Sequence, residues 1–120
     1  MRKMLKLLFS ILFLFPLMGC PLSLRAQGQE ADQRKFDYFF YEGLNLKTAG
    51  KFDAAYDAFN HCLAIDSTAS AVLYELSSFY AQLNRPEKSL EMLRRAVAYS
   101  SDNFTYSLAL ATMSRNLGMF

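Results

Sequence analysis

The chain has 120 residues, of which 52% are hydrophobic, and this length allows one small domain. Its formal net charge is +2 at pH 7, but four basic residues and no acidic residue lie within the first 26 positions. The remaining residues therefore carry a net charge of about −2. This balance argues against nucleic-acid binding through a basic patch, because such a patch needs clustered lysine and arginine.

Residues 1–26 have the pattern of an export signal. A short basic start at residues 1–6 is followed by the apolar run 7–18 and then by small residues. The run is shorter than the roughly 20 apolar residues that a membrane-spanning helix needs. We therefore predict a signal peptide over residues 1–26, with an uncleaved anchor as the alternative.

Two processing sites compete within this leader. Residues 17–20, Leu-Met-Gly-Cys, resemble a bacterial lipobox, in which the cysteine, here Cys20, is lipidated. Ala26 before Gln27 resembles an ordinary signal-peptidase site, which we favour. The expected location is the periplasm or cell envelope of a bacterium. Lipidation of Cys20 would instead give an outer-membrane lipoprotein, with the lipid as its membrane anchor.

The rest of the chain predicts an all-α fold. Residues 27–35 are polar and predict a short linker. From Phe36 onward, apolar residues recur at three- and four-residue spacing, which indicates amphipathic helices. No strand pattern competes after the leader. We expect five helices, near residues 36–48, 52–65, 69–83, 87–99 and 104–117.

Residues between these helices suit helix ends. Gly50 can adopt the left-handed conformation that closes a helix. Pro86 fits the first turn of the fourth helix, where its missing N–H is not needed. Ser67 or Thr68 is expected to cap the third helix through its hydroxyl group.

The sequence also repeats itself at an interval of 34 residues. The stretch 39–43 returns at 73–77 and again at 107–111. Gly50 returns as Asn84 and Gly118, and the pair Ala55 and Phe59 returns as Ser89 and Leu93. A period of about 34 residues is typical of stacked helical hairpins.

This pattern resembles the tetratricopeptide repeat family, whose units read W-x2-L-G-x2-Y, then A-x3-F, then P. The resemblance covers about residues 36–120. It implies an α-α superhelix of helical hairpins, with small residues (Gly43, Ser77 and Ala111) where paired helices approach closely. Glu42 at an apolar position and serine at both expected prolines depart from the pattern. The implied units are two full repeats, 36–69 and 70–103, and an incomplete third, 104–120.

The resemblance also implies a concave groove lined by the first helix of each unit, which holds a protein or peptide partner. The lysine and asparagine clamp that some members use for a C-terminal carboxylate is absent, so an apolar or aromatic segment is expected. Cover by another part of the same protein is an equal alternative. The expected groove residues are Asp37, Phe40, Leu44, Lys47, Tyr74, Ser78, Gln82, Leu108, Thr112 and Arg115.

No pattern in the sequence indicates catalysis, a metal or a cofactor. The single histidine, His61, lies one helical turn from Asp57, and such pairs are usually surface contacts. Cys62 lies on an apolar helix face and is expected to be a buried structural thiol. The expected function is therefore a non-catalytic, exported scaffold for protein–protein interaction.

The last helix leaves two alternatives open. Between Phe104 and Phe120 it carries only one charged side chain, Arg115, whereas a terminal helix of a repeat array should have a polar outer face. The chain is then either the N-terminal fragment of a larger tetratricopeptide-containing enzyme or regulator, or a homo-oligomer joined through this helix.

Overall fold

The computed structural model of the protein describes the backbone of residues 20–119 and the side chains of residues 24–119. It contains five α-helices and, within that part of the chain, no strand, which confirms the all-α prediction. The helices are α1 (Cys20–Thr48), α2 (Phe52–Ile65), α3 (Ser70–Gln82), α4 (Pro86–Tyr99) and α5 (Phe104–Asn116).

The first helix begins earlier than the sequence pattern predicted. It starts at Cys20 rather than near Phe36, so the expected linker 27–35 is helical. This segment contains three glutamines and several other residues with good helix propensity, and one Arg34–Glu30 ion pair spans a helical turn at 3.4 Å. Within the described residues, the chain divides into two units between Arg34 and Lys35.

Most of the expected signal peptide and the side chain of Cys20 lie outside the described residues. Among the helices that are described, none combines the length and the apolar character needed to cross a membrane.

Within residues 35–120, the helix ends repeat at the 34-residue interval seen in the sequence. The second helices of the two hairpins begin at Phe52 and Pro86 and end at Ile65 and Tyr99. The last residues of α1, α3 and α5 are likewise 34 positions apart. The periodicity of the sequence is therefore a periodicity of whole helices and turns.

The turn that closes each first helix has the same backbone geometry. Gly50, Asn84 and Gly118 all have positive φ, at 76°, 54° and 67°. After α1, the amide of Lys51 donates to the carbonyl of Leu46 at 2.9 Å, and the equivalent bond recurs at the other two turns. This pattern satisfies carbonyl groups at the helix end and confirms the role predicted for Gly50.

The helix starts use different residues. Pro86 occupies the first turn of α4, as predicted. The cap expected from Ser67 or Thr68 is wrong, because α3 has no side-chain cap and its N-cap residue is Ala69. The carboxylate of Asp66 instead accepts from the amide of Thr68 at 2.9 Å and from its hydroxyl at 2.7 Å. The Asp66 side chain thus shapes the turn between the hairpins.

The core is centred on the side chain of Phe59, which has no exposed surface. Its ring lies 6.1 Å from that of Phe40 in α1 and 5.9 Å from that of Phe79 in α3, between ring centroids. Phe59 therefore joins three helices. The buried apolar residues are Ala55, Ala58, Phe59, Cys62, Val72, Leu73, Leu76, Phe79, Leu90, Met92, Leu93 and Ala96.

The burial pattern departs from the sequence prediction in three places. Apolar spacing along the second helix predicts that Phe52 is inside, but its side chain is 46% exposed, because it starts α2 at the edge of the core. Ala58 and Met92 are buried, although the apolar pattern did not single them out. Ala111 is exposed and α5 has no buried residue, since no helix of the described chain packs on it as α2 and α4 pack on the earlier first helices.

The two hairpins use complementary pairs at one packing position. A Cβ on Gly43 would lie only 2.8 Å from Cε1 of the Phe59 ring, so this glycine is required by the large ring opposite. In the second hairpin the same two positions hold Ser77 and Leu93, both buried. A larger residue on one helix is thus matched by a smaller one on the other, as close packing requires.

This pairing predicts a coupled response to mutation. Gly43→Ser should destabilise the chain by about 1–3 kcal/mol through overpacking. Phe59→Leu should destabilise it by a similar ~1–3 kcal/mol through loss of packing. The double variant, which copies the second hairpin, should lose less than the sum of the two, because the smaller side chain makes room for the serine.

Urea unfolding of the full chain and its three variants measures this coupling. Gly28→Ser is the matched control, because Gly28 also lies in α1 but a Cβ there would have no neighbour within 4 Å. Strictly additive losses from the two single changes would contradict the proposed pairing.

Candidate functional site

A groove of about 400 Å³ runs between α3 and α5, with α4 at its floor. The α3 side presents Tyr74, and the α5 side presents Leu108, which is 53% exposed. Polar hydroxyl and amide groups alternate with apolar ones along the groove. Its lining residues are Tyr74, Ser77, Ser78, Ala81, Ser89, Leu93, Thr105, Leu108, Ala109, Thr112, Met113 and Asn116.

Small residues at the floor leave room for this groove. In the first hairpin, the Phe59 ring fills the corresponding space between α1 and α3. In the second hairpin, the equivalent Leu93 is smaller and lies beside Ser77 and Ser89. The hydroxyl of Ser89 donates to the carbonyl of Ser77 at 2.8 Å, which satisfies this buried polar group. The groove therefore follows from a volume difference between the two repeats.

Two tyrosines join α3 to α5 beside the groove. The ring centroids of Tyr74 and Tyr106 lie 5.1 Å apart. The side chain of Asn103 accepts from the amide of Tyr106 at 3.2 Å and caps α5. Burial, followed by the nearby carboxylate of Glu75, raises the pKa of Tyr106 above its usual value of 10. The ring contact between Tyr74 and Tyr106 holds the two helices together.

An ion pair fixes α1 to α3. The ammonium group of Lys47 lies 2.6 Å from the carboxylate of Glu75, and the two side chains are 34% and 16% exposed. Because its charge is matched by Glu75, Lys47 is not available as a free cation for a partner carboxylate.

The structure brings four of the expected groove residues together, namely Tyr74, Ser78, Leu108 and Thr112. Gln82 is an exception, since it lies in a separate cleft between α2 and α3. Arg115 is exposed and is not among the residues that line the groove.

The expected residues of α1 do not line this groove either. Phe40 and Leu44 are half-buried and pack against the core, where Phe40 contacts Phe59. Lys47 is paired with Glu75, and Asp37 lies on the exposed surface of α1.

Five further residues line the groove that the sequence did not indicate as groove residues. The repeat pattern predicts a packing role for Ser77, Ser89 and Leu93, and it does not single out Ala109 and Met113. The repeat itself indicates this groove. Leu93 stands 34 residues after Phe59 and is smaller, so less side-chain volume is expected at this position of the second hairpin.

His61, the single histidine, makes a structural contact with α1. The imidazole of His61 stacks on the ring of Phe39 in α1, with centroids 4.7 Å apart. Within the described part of the chain, no group of three or more His, Cys, Asp or Glu residues could hold a metal ion.

Cys62 is a fully buried free thiol, as predicted. Its sulfur donates to the backbone carbonyl of Phe36 in α1 at 3.6 Å. Burial raises the pKa of this thiol from 9.0 to about 11, so it remains protonated and unreactive at neutral pH.

Comparison with known proteins identifies the repeat independently. A family model described as tetratricopeptide repeat matches residues 46–113, which is more than half of the chain. No curated protein shows significant sequence similarity to this chain. The matched residues include the Lys47 position, the second helix of the first hairpin and both sides of the groove.

Cys62 predicts a specific loss of stability at alkaline pH. Because the thiol pKa is about 11 in the folded chain and 9.0 without burial, the unfolded chain releases its proton first. The contribution of the buried Cys62 thiol to the free energy of unfolding is complete below pH 9 and is lost as the pH rises towards 11. Cys62→Ala should therefore flatten the dependence of the free energy of unfolding on pH in this window.

Urea unfolding at a series of pH values gives the free energy of unfolding as a function of pH for both proteins. The slopes are compared, and not the values, because Cys62→Ala is less stable than the parent chain at every pH. Tyr80 and Tyr106, whose pKa values are also raised, supply the remaining slope in both proteins. Equal slopes for the parent chain and Cys62→Ala would contradict the account of this thiol.

Proposed function

Because the chain belongs to the tetratricopeptide repeat family, we propose that it is an exported, non-catalytic scaffold that holds a protein partner in the α3–α5 groove. Tetratricopeptide repeats commonly bind protein partners. The observation that carries the proposal is the open groove itself, with Leu108 exposed at its edge and Tyr74 in its wall.

The lining of the groove favours an apolar or aromatic partner segment. Leu93, Leu108 and Met113 offer apolar surface, and Tyr74 offers an aromatic face. Ser78, Thr105, Thr112 and Asn116 provide uncharged donors and acceptors for the partner backbone. No charged residue is among the lining residues, so burial of apolar surface is expected to dominate binding.

The leader supports export as part of the proposal. A basic start followed by an apolar run and small residues is the pattern of a secretory signal. We propose a location in the bacterial periplasm or cell envelope, with lipidation at Cys20 as the alternative form of attachment. We propose no cofactor and no nucleic-acid partner for this scaffold.

Substitution of one exposed leucine tests the groove. Leu108→Ala should reduce capture of the envelope partner at least about tenfold, because an exposed anchor of the groove is lost. Tyr99→Ala is the matched control, since Tyr99 is equally exposed at 53% but lies on α4 outside the groove. Partner capture from envelope extract, quantified by mass spectrometry, measures the difference.

The thermal unfolding midpoints of both variants should stay close to that of the parent chain, so that any loss of capture reflects the surface rather than the fold. Equal capture by the parent chain and Leu108→Ala would rule out the groove as the binding site. Equal losses in Leu108→Ala and Tyr99→Ala would also contradict it.

A further inference from the structure

A second concave site lies between α2 and α3, at the end of the hairpins where the left-handed turns are found. It is a cleft of about 460 Å³, and it shares no lining residue with the α3–α5 groove. Its size falls within the range of small-molecule sites, roughly 300–1,000 Å³. This cleft takes no part in the partner binding proposed above.

The walls of the cleft are large apolar side chains that face solvent. Phe52 is 46% exposed and Leu83 is 61% exposed. The ring of Phe52 meets that of Phe79 edge to face, with centroids 6.1 Å apart, which fixes the position of the wall. An aromatic or branched apolar group placed between Phe52 and Leu83 would remove both from water.

The cleft also contains a pair of tyrosine hydroxyl groups. The oxygens of Tyr56 and Tyr80 lie 3.1 Å apart, and the two rings meet edge to face. Either hydroxyl can donate in this pair, and the other hydroxyl keeps its own proton for donation to an acceptor atom of a ligand.

The cleft has one cationic side chain in its lining. Arg85 lines the cleft and, in the part of the chain that the structure describes, forms no ion pair. The other charged lining residue, Asp53, lies in the first turn of α2, where the positive end of the helix stabilises its carboxylate. Lys88, with its ammonium 5.4 Å from the Tyr80 ring centroid, adds positive charge nearby, and Glu91 acts on Tyr80 in the opposite sense.

We propose that the α2–α3 cleft binds a small carboxylic acid with an aromatic or branched apolar body. The body lies between Phe52 and Leu83, and the carboxylate accepts hydrogen bonds from the guanidinium group of Arg85. Arginine suits this role because its planar donors match a carboxylate. The hydroxyl of the Tyr56–Tyr80 pair that does not donate to its neighbour provides a further donor to the ligand.

Chemical-shift titration of the ¹⁵N-labelled full chain with 3-phenylpropionate tests the proposal. Saturable shifts are expected at the amides of Phe52, Tyr56, Leu83 and Arg85, with a Kd in the roughly millimolar range of a fragment-sized ligand. The uncharged analogue 3-phenylpropan-1-ol should bind at least about tenfold more weakly, since it lacks the charge-assisted hydrogen bonds.

Two arginine variants separate the cleft from general charge effects. Arg85→Gln should weaken 3-phenylpropionate binding at least about tenfold and leave binding of the alcohol unchanged. Arg94→Gln is the matched control, because Arg94 is an exposed arginine of α4 outside the cleft. It should not change either affinity.

The groove variant Leu108→Ala should also bind 3-phenylpropionate normally, so the cleft and the partner groove can fail independently. The proposal is overturned if the acid produces no saturable shifts around the cleft. It is also overturned if the acid and the alcohol bind equally well, or if Arg85→Gln binds the acid as the parent chain does.

Discussion

The packing of the Phe59 ring against Gly43 is the contact on which the described repeat depends. The ring is fully buried, touches α1 and α3 as well as its own helix, and leaves no room for a Cβ on the glycine. Because a helix glycine costs about 1 kcal/mol relative to alanine, its presence here is explained by the close approach that it permits. That approach sets the distance between α1 and α2, and it lets the ring of Phe59 reach Phe79, so that the second hairpin stacks on the first.

The second hairpin repeats this backbone with different volumes, and the groove results from the difference. Helix ends, turns and hydrogen bonds recur at 34 residues, whereas the Gly43 and Phe59 positions become Ser77 and Leu93. The smaller floor leaves space between α3 and α5, which Tyr74 and Leu108 border. The two units thus differ in packing: the first hairpin fills its interior with aromatic rings, and the second leaves apolar surface accessible. The open face of α5, which has no buried residue, extends that accessible surface.

Local patterns in the sequence were sufficient for much of this architecture. Apolar spacing and turn residues predicted the observed first and last residues of α2. The recurrence of Gly50 as Asn84 and Gly118 predicted a helix end near each of these three positions. What the sequence could not provide depends on contacts between distant residues. Three features can be known only from the relative positions of three helices. They are the Lys47–Glu75 ion pair, the packing of Phe40 in the core and the position of Gln82 in another cleft. The early start of α1 was missed for a different reason, since polar residues with good helix propensity give no amphipathic signal.

Helix α5 packs on one side only, and its other face is open in the described structure. Amide hydrogen exchange on the full chain measures this, because protection reports how firmly each helix is held. We expect the slowest exchange in α3, which contacts α2, α4 and α5, and the fastest in α5 among helices α2–α5, at every protein concentration. Exchange in α5 as slow as in α3, with protection that grows with concentration, would contradict this expectation, because it would mean that a second copy covers this face.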